Sequence, residues 1–316
     1  MKIQIRQAAE AALVALFALP AVWADVPTAR VGTLEYVEGS VSIDGRAVAG
    51  NQGQLPILGN GQSLGTAGGH AEMLLTPGVF LRLDKGSKAQ LENASLTDTR
   101  LRLEQGAAML EVDNLHKDNL IRVDLGPGTV KVLKDGLYRF EAEPPRVLVV
   151  KGQAEALGDD REWKAGKHHQ ISFSPGPAVA KYDSVPGDDL TRWSRLRSEY
   201  ETEASVASAQ YVIDSGWGMG YPYWFWNPWF DTWTWFPAHG WFLNPYGFGY
   251  FSPMAVYSYF PMRYYGPRAY GFAPRVGLGA RGFRGGPAVG PAFRGRGFAG
   301  GRAFGHMGSF GRGMRR

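Results

Sequence analysis

The sequence predicts a mainly β body, followed by one amphipathic helix and a largely disordered C-terminal tail. Three observations carry this. Short apolar runs broken by turn residues extend from Val31 to about Tyr182, a helical period occupies Asp188 to Ala209, and the composition changes abruptly after Asp214. Gly, Pro, Asn and Asp between alternating apolar residues are the signature of short strands, whereas apolar positions three and four apart mark a helix.

Within the β body the runs are TLEYVEGSVSID (33–44), AEMLLTPGVFLRL (71–83), TRLRLEQGAAMLEV (99–112), LIRVDLGPGTVKVL (120–133), LYRFEAEPPRVLVVKG (137–152) and HHQISFS (168–174). Leu101 and Leu103 alternate with Arg100, Arg102 and Glu104, and Ile121, Val123 and Leu125 alternate with Arg122 and Asp124. Successive residues of a strand face opposite sides, so each run offers one apolar face. A sandwich, a barrel and a β-solenoid all satisfy such a pattern.

The helix is expected within 183–212. Asp188 or Asp189 follows Pro186-Gly187 as an N-cap, and Leu190, Trp193, Leu196 or Arg197, Tyr200, Ala204 and Ala207 form a stripe. Arg192, Arg195 and Arg197, with Glu199, Glu201 and Glu203, are assigned to the solvent side. The stripe is expected to pack on the β body.

Residues 213–262 form an aromatic segment with a rough internal repeat. Asn227-Pro228-Trp229-Phe230-Asp231-Thr232-Trp233-Thr234-Trp235-Phe236-Pro237 is echoed by Asn244-Pro245-Tyr246-Gly247-Phe248-Gly249-Tyr250-Phe251-Ser252-Pro253. Aromatics alternating with small residues between prolines suit short strands or hairpins with one aromatic face. Trp229, Trp233 and Trp235 are the candidate aromatic platform for a polysaccharide. Residues 263–316 are Gly, Arg, Phe and Ala with Pro, too poor in aliphatic side chains to bury a core, and are expected to be disordered.

Charge is divided unevenly. Residues 25–214 carry 21 Lys and Arg against 27 Asp and Glu, while residues 215–316 carry 11 Arg against Asp231 alone. A cationic tail on an acidic body suits an anionic polymer, because multivalent charge binds by releasing counterions and Arg stacks on aromatic rings. The candidate polyanion-binding residues are Arg281, Arg284, Arg294, Arg296, Arg302 and Arg312, with Phe283, Phe293 and Phe298 as stacking partners.

Residues 1–24 have the order of a secretory signal: Lys2 and Arg6, an apolar run from Ala11 to Val22, Pro20, and a small residue at Ala24. Cleavage is expected between Ala24 and Asp25. The apolar run falls short of the ~20 residues that a membrane span needs, so no transmembrane helix is expected in the mature chain. The periplasm, the cell surface or the extracellular space is the expected location. Nucleic acid is then not an expected partner, apart from extracellular DNA.

No catalytic motif emerges. A GxSxG elbow, an HExxH pair and a Walker loop are absent, and there is no cysteine. Gly277 to Gly282 and Gly295 to Gly300 match GxGxxG, but neither follows a strand. His168 and His169 would point to opposite faces of a strand. The chain is expected to be non-enzymatic, with no cofactor and no metal.

Residues 31–182 resemble the FecR domain. The resemblance is carried by Glu38-Gly39-Ser40-Val41, Ala71 to Leu75 with Val79 to Leu83, and Leu101 to Gly106 with Met109 to Val112. Ile121-Arg122-Val123 with Gly128-Thr129-Val130, Gly136 to Phe140, and Val147 to Ala154 complete it. The domain is then expected at 25–182, as an elongated, β-solenoid-like structure with a β-sandwich as the alternative, and as a module for protein contacts. In the regulators of this family it relays a signal from an outer-membrane receptor to a sigma factor. That role uses a cytoplasmic region and a membrane helix, where this chain is expected to carry a cleavable signal. The leading expectation is an exported envelope protein whose FecR-like body contacts protein and whose cationic aromatic tail attaches to a surface or an anionic envelope polymer. A periplasmic regulator and a polysaccharide-binding protein are the alternatives.

Overall fold

The computed structural model describes residues 29–49, 55–157, 161–214 and 224–259. The expected signal (1–24), its cleavage site at Ala24 and Asp25, and the Gly/Arg tail (263–316) with its Arg and Phe candidates lie outside these residues.

The body opens with β1 (Thr33–Glu38), β2 (Val41–Ile43), β3 (Arg46–Ala47), β4 (Ser63–Thr66), β5 (His70–Leu74) and β6 (Val79–Leu83). It continues through β7 (Ser87–Ala94), β8 (Asp98–Gln105), β9 (Ala107–Val112), β10 (Leu120–Leu125), β11 (Gly128–Val132) and β12 (Gly136–Ala142). The strands β13 (Pro145–Lys151), β14 (Gln153–Leu157), β15 (Glu162–Gly166), β16 (His169–Ser172) and β17 (Ala178–Lys181) complete it. They form two sheets, one in the order β1-β5-β6-β9-β12-β13-β16-β17 and the other β15-β14-β11-β10-β8-β7-β4-β2-β3.

The body is therefore sandwich-like, which corrects the solenoid-like expectation in favour of its alternative. Stacked coils would pair strands in parallel, whereas among the described strands only β8 and β10 pair that way. The alternating positions explain the layering. Leu91, Leu101, Leu103, Ile121, Val123 and Val130 of one sheet meet Leu81, Leu110, Phe140, Val147 and Ile171 of the other in a shared core. Burying each such side chain contributes roughly 1.5–3 kcal/mol.

The outward face of the first sheet is also covered. All residues of β5, β6 and β9 are buried, as strands are when both faces are packed. The cover begins with α1 (Asp189–Asp214). Asp188 caps it, accepting a hydrogen bond from the Thr191 amide (3.1 Å), and grips Arg139 of β12 (2.6 Å). Two aromatic hairpins follow, β18 (Phe225–Asn227) with β19 (Thr232–Thr234), and β20 (Trp241–Leu243) with β21 (Gly249–Phe251). A final helix, α2 (Pro253–Tyr259), is capped by Ser252, whose hydroxyl accepts from the Ala255 amide (3.2 Å).

The hairpins hang from the repeat recognised in the sequence. Asn227 Oδ1 accepts from the amides of Trp229 (3.0 Å) and Phe230 (3.2 Å), and Asn244 Oδ1 accepts from those of Tyr246 (3.1 Å) and Phe248 (2.9 Å). Both are Asx turns, in which a side chain replaces a backbone acceptor. The amide nitrogens face the other way. Asn227 Nδ2 donates to Ser208 Oγ (2.8 Å) and the Ala204 carbonyl, and Asn244 Nδ2 donates to Ser198 Oγ (2.7 Å).

Candidate functional site

The junction between the first sheet and its cover holds the chain's most unusual chemistry, a seam of charged groups withdrawn from water. Glu72 on β5 and Arg82 on β6 are directly paired across the hairpin, with Glu111 on the adjoining β9. The turn Thr76-Pro77-Gly78-Val79 fixes this register. Its closing bond runs from the Val79 amide to the Thr76 carbonyl (2.8 Å), and Gly78 takes φ +82°. From α1 come Arg197, Ser198 and Glu201, from β1 Glu35, and from the hairpins Thr232 and Asn244.

The contacts form one network. Arg82 Nε donates to Glu72 Oε2 (2.5 Å), and a second Arg82 nitrogen donates to Glu111 Oε2. Arg197 donates to Glu72 Oε1 (2.7 Å) and to Glu201 Oε1 (2.6 Å). Glu111 Oε1 accepts from Ser198 Oγ (2.7 Å) and Asn244 Nδ2 (2.9 Å). Thr232 contacts both Glu201 and Glu35, and the Trp233 amide donates to Glu35 Oε1 (2.5 Å). The Arg197 guanidinium also lies over the Tyr36 ring, 4.5 Å from its centroid.

The electrostatics of these acids diverge. Burial opposes ionisation of Glu72, but Arg197 and Arg82 outweigh it and hold its carboxyl below the usual range. Glu201 is pushed up to about 8 by burial, with Arg197 opposing and Glu72 adding to the rise. Burial, reinforced by Glu201, drives Glu35 well above the usual carboxylate range. Asp113, just beyond β9, rises in the same way through burial and the neighbouring Glu111.

Sequence reasoning misassigned the partners of this seam. Glu201, assigned to the solvent side, is buried, and of the stripe alternatives Leu196 or Arg197 it is Arg197 that faces inward while Leu196 is exposed. The inward face of α1 is largely polar, with Ser194, Ser198, Thr202, Ser205 and Ser208 all buried. It meets a charged sheet, so an apolar stripe is a poor guide here. The i, i+4 spacing of Arg197 and Glu201 was visible, but it is equally common on solvated helices.

The three candidate platform tryptophans separate. Trp229 is 49% exposed, whereas Trp233 and Trp235 are buried at 6% and 1%. They pack with Trp224 and Tyr250 against Leu74 and Phe80 of the sheet. Two of the three are thus core, and no shared sugar-facing surface forms. His168 turns out of line at φ +64°, ahead of His169 in β16. Among the described residues, no group of three or more His, Asp or Glu side chains could hold a metal ion.

A cleft of about 670 Å³ opens beside the seam, between the body and the hairpins, lined by Asp113, Asp135, Lys151, Trp235, Phe242 and Asn244 among others. Lys151 Nζ bridges it to the Pro245 carbonyl. No nucleophile paired with a base lines it. Among the described residues, no helix is long and apolar enough to cross a membrane by itself.

These features define a two-sheet β-domain sealed on one face by a helix and aromatic hairpins. Residues 63–155, from β4 into β14, match the family model described as FecR protein. Two crystal structures of a protein provisionally assigned as an anti-sigma factor from Parabacteroides distasonis are similar in part. They share 17% and 16% identity with TM-scores of 0.33 and 0.34, covering 48% of this chain and 71% and 73% of theirs. No curated protein matches the chain.

Proposed function

We propose that the protein is a FecR-like signalling or regulatory protein that acts through protein contacts rather than catalysis. The match of residues 63–155 to the FecR family is the observation that carries this reading. Regulation through protein contacts is what that family resemblance implies. The N-terminal sequence pattern supports action outside the cytoplasm. Deleting the gene should change the transcription of a discrete set of genes, and restoring the full chain should reverse the change. An unaltered transcript profile would overturn the regulatory reading.

A second reading is favoured by the charge division. The 11 arginines after residue 215 suit attachment to an anionic envelope polymer. Under that reading the full chain sediments with anionic polymer at low salt and is released as salt rises, and removing residues 263–316 abolishes sedimentation. Sedimentation that withstands salt or survives that removal would sink it.

A further inference from the structure

We propose that α1 and the aromatic hairpins form a detachable lid, latched onto the FecR sheet by protons held on three buried carboxyl groups. The inference goes beyond the regulatory reading and does not depend on it.

Counting donors sorts the five acids of the seam. Both oxygens of Glu72 accept from guanidinium nitrogens, and both oxygens of Glu111 accept from Arg82, Ser198 or Asn244. Those two acids match the two buried guanidinium groups in number. Glu35 Oε2, Glu201 Oε2 and both oxygens of Asp113 are buried and receive no donor. A carboxylate oxygen withdrawn from water without a donor is costly, whereas a protonated carboxyl is neutral and brings its own donor. Asp113 adjoins Glu111, whose charge adds to the cost of ionising it. The geometry therefore requires three protons where the lid meets the sheet.

Every element packed on these acids points the same way. Glu201 faces Arg197 on its own helix, Glu72 on β5, Arg82 on β6, and Glu35 on β1 through the shared Thr232 hydroxyl. Asp113 faces Glu111, Arg82, Asp135 and the Tyr250 phenol. Glu35 faces Glu201, Glu72 and Arg197. Two positive charges serve all of them. The polar inner face of α1 lowers the cost of leaving the sheet, because its serines and threonine regain water, while Leu190 and the tryptophan cluster hold the lid by apolar contact.

The direction of the response follows. Closed, Glu201 keeps its proton to about pH 8, and Glu35 and Asp113 are likewise raised. Open, each ionises in the ordinary carboxylate range, so closing the lid takes up protons. Closure is firmest in mild acid and weakens as pH rises towards 8. Glu72, held low by its two arginines, opposes this only below the ordinary range, where its protonation loosens the latch.

Hydrogen exchange on the full chain, corrected for intrinsic rates, tests the proposal between about pH 6 and pH 8. The opening constant of 189–214 and of the hairpins should rise about tenfold per pH unit for each proton lost, while β8, β10 and β12 stay protected. Glu201→Gln should remove one proton's share, lowering the slope about tenfold per unit. Should that variant fail to fold, Asp113→Asn makes the same prediction, and calorimetric proton uptake on refolding the unmodified chain supplies an independent count. A lid whose exchange ignores pH, a variant with an unchanged slope, or loss of lid and sheet protection at a single midpoint would overturn the proposal.

Discussion

Arg82 is the residue on which the seam turns. It has no access to water and neutralises Glu72 and Glu111 together. Arg82→Ala leaves Glu72 to Arg197 and takes from Glu111 its paired guanidinium, and breaking a buried pair from one side costs about 3–5 kcal/mol. Chemical denaturation should register a loss of that size. Gly78 is constrained for a different reason. A Cβ added there would come within 2.6 Å of the Trp235 ring, at a φ that side chains rarely adopt. Gly78→Ala should therefore cost about 1–3 kcal/mol, seen in the same unfolding curves. The pairing of Glu72 with Arg82 was latent in the sequence, because a Pro-Gly turn centred on Pro77 brings those positions opposite each other. What could not be read is that both faces of this hairpin are covered. Nothing local distinguishes a buried Glu–Arg pair from one that faces water.

At the scale of elements, the asparagine repeat does more than shape two turns. Each Asn satisfies its own hairpin through Oδ1 and docks that hairpin through Nδ2. Replacing either by Ala removes the turn acceptor and leaves buried groups without a partner, a loss of about 1–3 kcal/mol. Asn227→Ala should raise exchange first in β18 and β19, and Asn244→Ala first in β20 and β21. The aromatic repeat was legible because Asn-Pro recurs with the same alternation behind it. Its docking was not, since the serines that receive it occupy a helix whose polar face looked solvated. Asp188 was legible for the opposite reason, as a cap is a local device that a short stretch can specify.

The body and its cover depend on each other across the whole molecule. Leu74 and Phe80 face the tryptophan cluster, and Met109 faces Leu190 of α1. A chain ending at residue 182 leaves this face bare. It should bind a hydrophobic dye and self-associate more than the full chain, as sedimentation of the two would reveal. The mainly β class was readable from alternation, and the stretch quoted for the FecR resemblance includes residues 63–155, where the family model matches. The sheet order was less accessible, because hairpins, solenoid coils and sandwich strands share one local pattern. Only the long-range pairing, such as β1 with β5 and β6 with β9, decides between them.

The span of the seam sets an order of events. Glu35 meets Thr232 across 197 positions of chain, and Glu111 meets Asn244 across 133. A ribosome delivers the sheet first, so Glu35, Glu72, Arg82 and Glu111 stand in water until both hairpins have emerged. Contacts of such separation form late in folding. The seam can close only on a chain finished through Asn244, and a polypeptide cut short before it stays unsealed. A chain cut short before Asn244 therefore lacks the Glu111–Asn244 and Ser198–Asn244 bonds and should unfold at lower denaturant than the full chain.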